Sequence, residues 1–361
     1  MAAYLADRGH LAEAARVGAT CSMLWERDAE LWAVLARAAY GKWKWTRLHW
    51  ACEEGDLERV ERLLEWKSDI KAADGEGRTP LHLASLNGHL EVVRELVRRG
   101  AKVRAEDKNG DTPLHDASFY GYVEVARLLL DSGADIEAKT STDTDIGATS
   151  LFSASQEGTL EVVQLLVARG AVVDARAEDG WTSLMKASEK GHAPVVRALL
   201  AAGADVRARN NRSYTALHWA SYHGHTEALR ELLKSHDAEL NAQDEDGDTP
   251  LTDACAMGHL MAATLLISFG ADINLLNHAG ASALQVAETL SAEDGDESDN
   301  DDDDDDETSL PAQHRQIVRC SRRSARLEER PVSVIALRRV HWTRIFYYNY
   351  EKKKDRHLYN N

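Results

Sequence analysis

Long apolar runs are missing from this chain of 361 residues: nowhere do 18 or more apolar residues stand together. The sequence therefore predicts no membrane-spanning helix. Its first residues lack the shape of a signal peptide, because Arg8, Glu13 and Arg16 interrupt the apolar positions. Cysteine is scarce. Cys21, Cys52, Cys255 and Cys320 are the four, with no C-x-x-C spacing. That argues against a disulfide framework and for a reducing, intracellular setting, cytoplasmic with the nucleus left open. Catalytic signatures are missing too: there is no P-loop, no G-x-S-x-G and no zinc spacing. His223 and His225 stand close, but His225 matches His89, His192 and His259 in other copies of a repeat. No enzyme activity, metal or cofactor is expected.

What the chain has is period. Leu48, Leu81, Leu114, Leu151, Leu184, Leu217 and Leu251 each sit in a T-x-L-H-like tetrapeptide, at separations of 33, 33, 37, 33, 33 and 34. Leu284 marks a partial eighth copy. A fixed period near 33 predicts a solenoid. The copy at Arg78–Ala101 shows the unit. Thr79-Pro80 reads as a helix start, since proline at the first helical position has a preset φ and no N–H to orphan. Gly88 ends that short helix at positive φ. Leu90, Val93, Leu96 and Val97 mark a second helix, closed by Gly100, and Asn109-Gly110 signals a hairpin. Such a pair cannot bury its own apolar face, so stacked neighbours must do it. Alanines three residues after each key leucine, from Ala51 to Ala254, let the helices approach closely.

Thr79-Pro-Leu-His82, Thr112-Pro-Leu-His115, Thr215-Ala-Leu-His218 and Thr249-Pro-Leu-Thr252, with Gly-Ala pairs at 100, 133, 170, 203 and 270, resemble the ankyrin repeat family over residues 45–290. The resemblance implies an all-α solenoid of helix-turn-helix units joined by β-hairpin loops. It also implies a structural role for His49, His82, His115 and His218, hydrogen-bonding between neighbouring loops. Departures are local: Thr149-Ser-Leu-Phe152 and Thr182-Ser-Leu-Met185 lack the proline and histidine, and Lys234–Ala238 stands where Gly-Ala is expected.

Four other segments flank or interrupt the array. Residues 1–44 read as a helical cap over the first repeat. Alternatively, Leu11–Val17, Cys21, Trp25 and Asp28–Trp32 resemble the second half of an F-box, which implies binding to a cullin–RING ubiquitin ligase adaptor. The four extra residues of the 37-residue step fall in Lys139–Gly147 and predict a polar finger. Residues 291–307 form an acidic linker; 12 acidic residues in 293–307 repel one another and predict disorder. Residues 308–361 reverse the sign, with 13 Lys or Arg against 4 Asp or Glu and interleaved aromatics. Such a tail suits single-stranded nucleic acid or an anionic membrane. The net charge of −17 argues against nucleic acid for the chain as a whole, and a disordered tail folding back on the acidic run is the favoured reading.

In ankyrin-like arrays, partners lie along the hairpin tips and first helices. Aromatic residues are not required there by the fold, yet Phe119, Tyr120, Trp181, Tyr214 and Tyr222 occupy those positions. Interface hot spots favour tryptophan and tyrosine. With His223 and the carboxylates Glu157 and Glu189 they form the candidate partner-binding set. The expected function is a protein-interaction scaffold, monomeric by itself, whose partner has a basic and partly apolar surface and docks on the concave face. The alternative is the substrate-recognition subunit of a cullin–RING ligase.

Overall fold

The structure, a computed structural model, describes residues 45–141 and 146–293, with side chains to 289. The cap or F-box-like segment, the core of the polar finger, most of the acidic linker and the basic tail lie outside the described residues. The chain divides at Thr142/Asp143, inside the expected insertion, into two compact units. Fifteen helices are formed among the described residues.

The first unit holds three helix pairs: α1 (Arg47–Glu54) and α2 (Leu57–Glu65), α3 (Pro80–Leu86) and α4 (Leu90–Arg98), α5 (Pro113–Phe119) and α6 (Val123–Asp131). First helices stack on first helices and second on second, so the unit has two layers. The second unit repeats the plan. Its pairs are α7 (Ser150–Glu157) and α8 (Leu160–Ala168), α9 (Ser183–Glu189) and α10 (Ala193–Ala201), α11 (Ala216–Tyr222) and α12 (Thr226–Leu232), and α13 (Pro250–Ala256) and α14 (Leu260–Phe269). A single helix, α15 (Ala283–Glu293), packs on α13 as the last described helix, running three residues past the expected end of the array.

Local chemistry explains the regularity. Each first helix starts at a threonine N-cap. Where the third helical residue is histidine, the cap is reciprocal: the Thr79 N–H donates to His82 Nδ1 at 3.0 Å. Because Nδ1 accepts, the proton sits on Nε2, which donates to the Asp111 carbonyl of the next repeat at 3.1 Å. His49 and His218 do the same toward the Arg78 and Asp248 carbonyls. The histidine thus joins loop to loop, as its family role implied. Without histidine the threonine still caps, as Thr149 does for the Phe152 N–H.

The connecting loops are tight turns closed by backbone bonds such as Asp74 N to Arg78 O at 2.9 Å. They are also tied tip to tip; the Lys108 N–H donates to the Glu76 carbonyl and that of Asn211 to Asp179. The β character is slight, and an isolated antiparallel bridge, Leu276 to Ser282, is recorded. Between paired helices a glycine admits the next repeat: a Cβ on Gly224 (φ +68°) would lie 2.6 Å from the His259 ring. Where the Gly-Ala pair is replaced by Lys234–Ala238, α12 has seven residues against nine for α8 and α10.

The core is the interior of these layers. Leu48, Leu81, Leu114, Leu151, Leu184, Leu217 and Leu251 are at most 1% exposed, and the alanines three residues on are fully buried. Cys52 and Cys255 are free thiols in that core, their ionisation pushed up by burial.

Candidate functional site

The second unit gathers aromatic rings on its first-helix layer. Trp181, just before the α9 cap, lies 4.4 Å from Trp219 of α11, centroid to centroid. Tyr214, just before the α11 cap, stacks on the same indole at 5.0 Å and 30°. Tyr222 at the end of α11 and His223 after it approach Trp219 at 6.4 and 6.2 Å, and each other at 5.1 Å. Trp219 is therefore the hub of a five-ring surface. All but the exposed His223 are half-buried.

The charges around the rings are arranged by register. Lys186 of α9 lies over the Trp181 and Phe152 rings at 5.1 and 5.7 Å, a cation–π arrangement. Glu189 holds its ammonium at 3.0 Å. Although burial opposes ionisation of Glu189, its bonds to Lys186 and Lys190 bring its carboxyl below the ordinary range. Near Tyr214 stand carboxylates. Asp244 and Asp253 are 6% and 5% exposed, and Asp253 has one oxygen without a hydrogen-bond partner. The Asp244 carboxylate lies beside the Tyr214 hydroxyl, whose ionisation burial and that neighbour push up. Asp253 is raised to about 8 by burial, then by Asp244 and Asp248.

Of the eight residues named from sequence, this arrangement brings together Trp181, Tyr214, Tyr222, His223 and Glu189. Glu157, at the end of α7, is exposed and paired with Gln156 at 3.3 Å. Phe119 and Tyr120 belong to the first unit, where Tyr120 lies 5.1 Å from Phe119 and 6.3 Å from Tyr122; Tyr120 is 52% exposed. No group of three or more histidine, cysteine or acidic side chains among the described residues has the disposition of a metal site. No helix among them is long and apolar enough to cross a membrane.

A family model described as ankyrin repeats matches three times, over residues 48–140, 138–210 and 203–277. The chain belongs to the ankyrin-repeat family. A comparison with curated proteins found no match. An ankyrin-repeat array is a protein–protein interaction module, and its repeats generally serve as interaction scaffolds rather than enzymes.

Ankyrin register also exposes what reading the sequence missed. The residue two after the key leucine forms a column: Trp50, Leu83, Asp116, Ser153, Lys186, Trp219 and Asp253. Only the columns before the cap and before the inter-helix glycine yielded candidates. The hub Trp219, its cation neighbour Lys186, the half-buried Asp116 and the buried Asp253 all lie in the column left out. Writing the repeats one beneath another would have shown them.

Proposed function

We propose that the ankyrin array is a protein-binding scaffold whose partner lies across the second unit's ring surface, over Trp181, Tyr214, Trp219, Tyr222 and His223. The observation that carries the reading is the set of rings converging on Trp219 at 4.4 to 6.4 Å. The fold does not need them: the corresponding column holds Leu83 in one repeat and Ser153 in another. Large, rigid, half-exposed rings give much contact area for little conformational entropy. The carboxylates beside them favour a basic, partly apolar partner.

The test is affinity purification of tagged chain from its native cells, beside a Trp181→Ala/Tyr214→Ala/Tyr222→Ala variant. A partner held by the wild type and lost from a folded variant is the expected result. Retention of every partner by the variant would place docking elsewhere. Recovery of cullin and its adaptor with both forms would make residues 1–44 a ligase-recruiting segment and the lost partner its substrate.

A further inference from the structure

The same decapeptide pattern occurs once in each unit. Asp107-Lys-Asn-Gly-Asp-Thr-Pro-Leu-His-Asp116 and Asp244-Glu-Asp-Gly-Asp-Thr-Pro-Leu-Thr-Asp253 both place three aspartates at spacings of four and five. The first aspartate of each closes the loop; Asp107 accepts from the Asn109 and Asp111 N–H groups, and Asp244 from those of Asp246 and Asp248. The third lies in the first helix, Asp116 half-buried and Asp253 buried, and in both copies its Oδ2 has no hydrogen-bond partner. Within each set the carboxylates act on one another: Asp107 and Asp111 on Asp116, and Asp244 and Asp248 on Asp253.

The two copies differ in what faces the acids. In the first unit the preceding repeat supplies Arg78. Its guanidinium pairs with Asp74 at 3.0 Å, lies 5.8 Å from the Trp45 ring, and acts favourably on both Asp107 and Asp116. In the second unit the register position of Arg78 holds Tyr214, and that of Leu83 holds Trp219. No lysine or arginine acts on Asp253, and none is among the groups that act most on Asp248. In favour of Asp248 stand the Asn277 amide, at 2.8 Å, and the His278 ring. Buried acids that crowd without a cation are costly. In the first unit a guanidinium beside a tryptophan ring offsets part of that cost, although Asp116 stays well above the ordinary carboxylate range.

We propose that Tyr214, Trp219, Asp248 and Asp253 form a socket for an arginine side chain of the protein partner, its guanidinium lying against the rings and its charge taken by Asp248, with Asp253 behind it. This rests on the ring surface being the docking face and names the chemistry it selects. Arginine suits such a place better than lysine because its planar group stacks on rings while its N–H fork reaches carboxylates.

The probe is a short fluorescent Gly-Ser peptide carrying two arginines, compared with the same peptide carrying citrulline, the neutral isostere, each titrated with the full chain. The arginine peptide is expected to bind at least about tenfold more tightly. Asp248→Asn/Asp253→Asn should erase that preference while the chain stays folded by circular dichroism. The matching Asp111→Asn/Asp116→Asn variant in the first unit should keep it, since Arg78 already acts on Asp116 there. Equal binding of the two peptides, no binding of either, or equal loss in both double variants would overturn the socket. A cellular partner lost from the ring variant but kept by Asp248→Asn/Asp253→Asn would also overturn it and leave the docking face standing. Arginine preference without any ring-dependent partner would instead overturn the docking face.

Discussion

Replacing Asp253 by asparagine should stabilise this protein at neutral pH, and the gain should grow as pH rises. The side chain is 5% exposed and no cation offsets its charge. In the folded chain the carboxyl ionises at about 8, against 3.8 for its ordinary value. Between those two values the folded state holds a proton that the unfolded state has released. Stability therefore falls as pH rises from about 4, and the fall ends above about 8. At pH 7 the cost is about 4 kcal/mol, from 1.36 kcal/mol per pH unit above the ordinary value. Asparagine keeps the shape and carries no charge. Its buried amide N–H lacks a ready acceptor, which takes back about 1–3 kcal/mol. The net expectation is a gain of about 1–3 kcal/mol near pH 7.5 that vanishes or reverses near pH 4. Chemical denaturation of wild type and Asp253→Asn at half-unit steps from pH 4 to 9 measures it. A stability difference that stays flat across that range would refute the reasoning.

Four other outcomes are expected. His82 and His218 are depressed to about 4, chiefly by burial, against 6.5 for the ordinary value. Each should contribute about 3 kcal/mol that is present above pH 6.5 and lost as pH falls to 4, so acid unfolding of His218→Gln should be shallower than that of the wild type. Gly224→Ala would meet both a positive φ and the His259 ring at 2.6 Å, and thermal unfolding should show a loss of about 2 kcal/mol or more. Ser213 occupies the loop-tip position held by glycine in other repeats, at φ +63°, so Ser213→Gly should raise stability by about 1 kcal/mol, read as a higher denaturation midpoint. Trp219→Ala should weaken a ring-dependent partner by about 2 kcal/mol or more, measured by titration calorimetry.

The fold was legible because one short sentence is spoken seven times. Threonine caps, inter-helix glycines and buried leucines each have a local cause, and repetition removes the ambiguity that a single copy would leave. Thr149 and Thr182 show how redundant the signal is: they cap their helices although the proline and histidine are gone. The contraction of α12 also follows from a local change, the loss of Gly-Ala at 234–238. Binding chemistry is legible only where a residue departs from what the repeat requires. Trp181 and Tyr214 stood out by type. Trp219 lies in a first-helix column that the repeat fills with many residue types, and its role as hub depends on rings from the preceding repeat and from its own.

Asp253 marks where a single sequence position stops being informative. Its decapeptide matches that of Asp116, and both carboxyls are buried beside two others. One copy has Arg78 for company and the other has Tyr214 and Trp219, residues 39 and 34 positions earlier in the chain. The contrast exists only after stacking brings one repeat against the next. A repeat protein can thus hold its scaffold constant and change its chemistry by altering a neighbour's residue while leaving the motif itself untouched. In this chain the exchange of one arginine for aromatic rings separates an acid cluster that a guanidinium partly offsets from one whose buried Asp253 has no such cation acting on it.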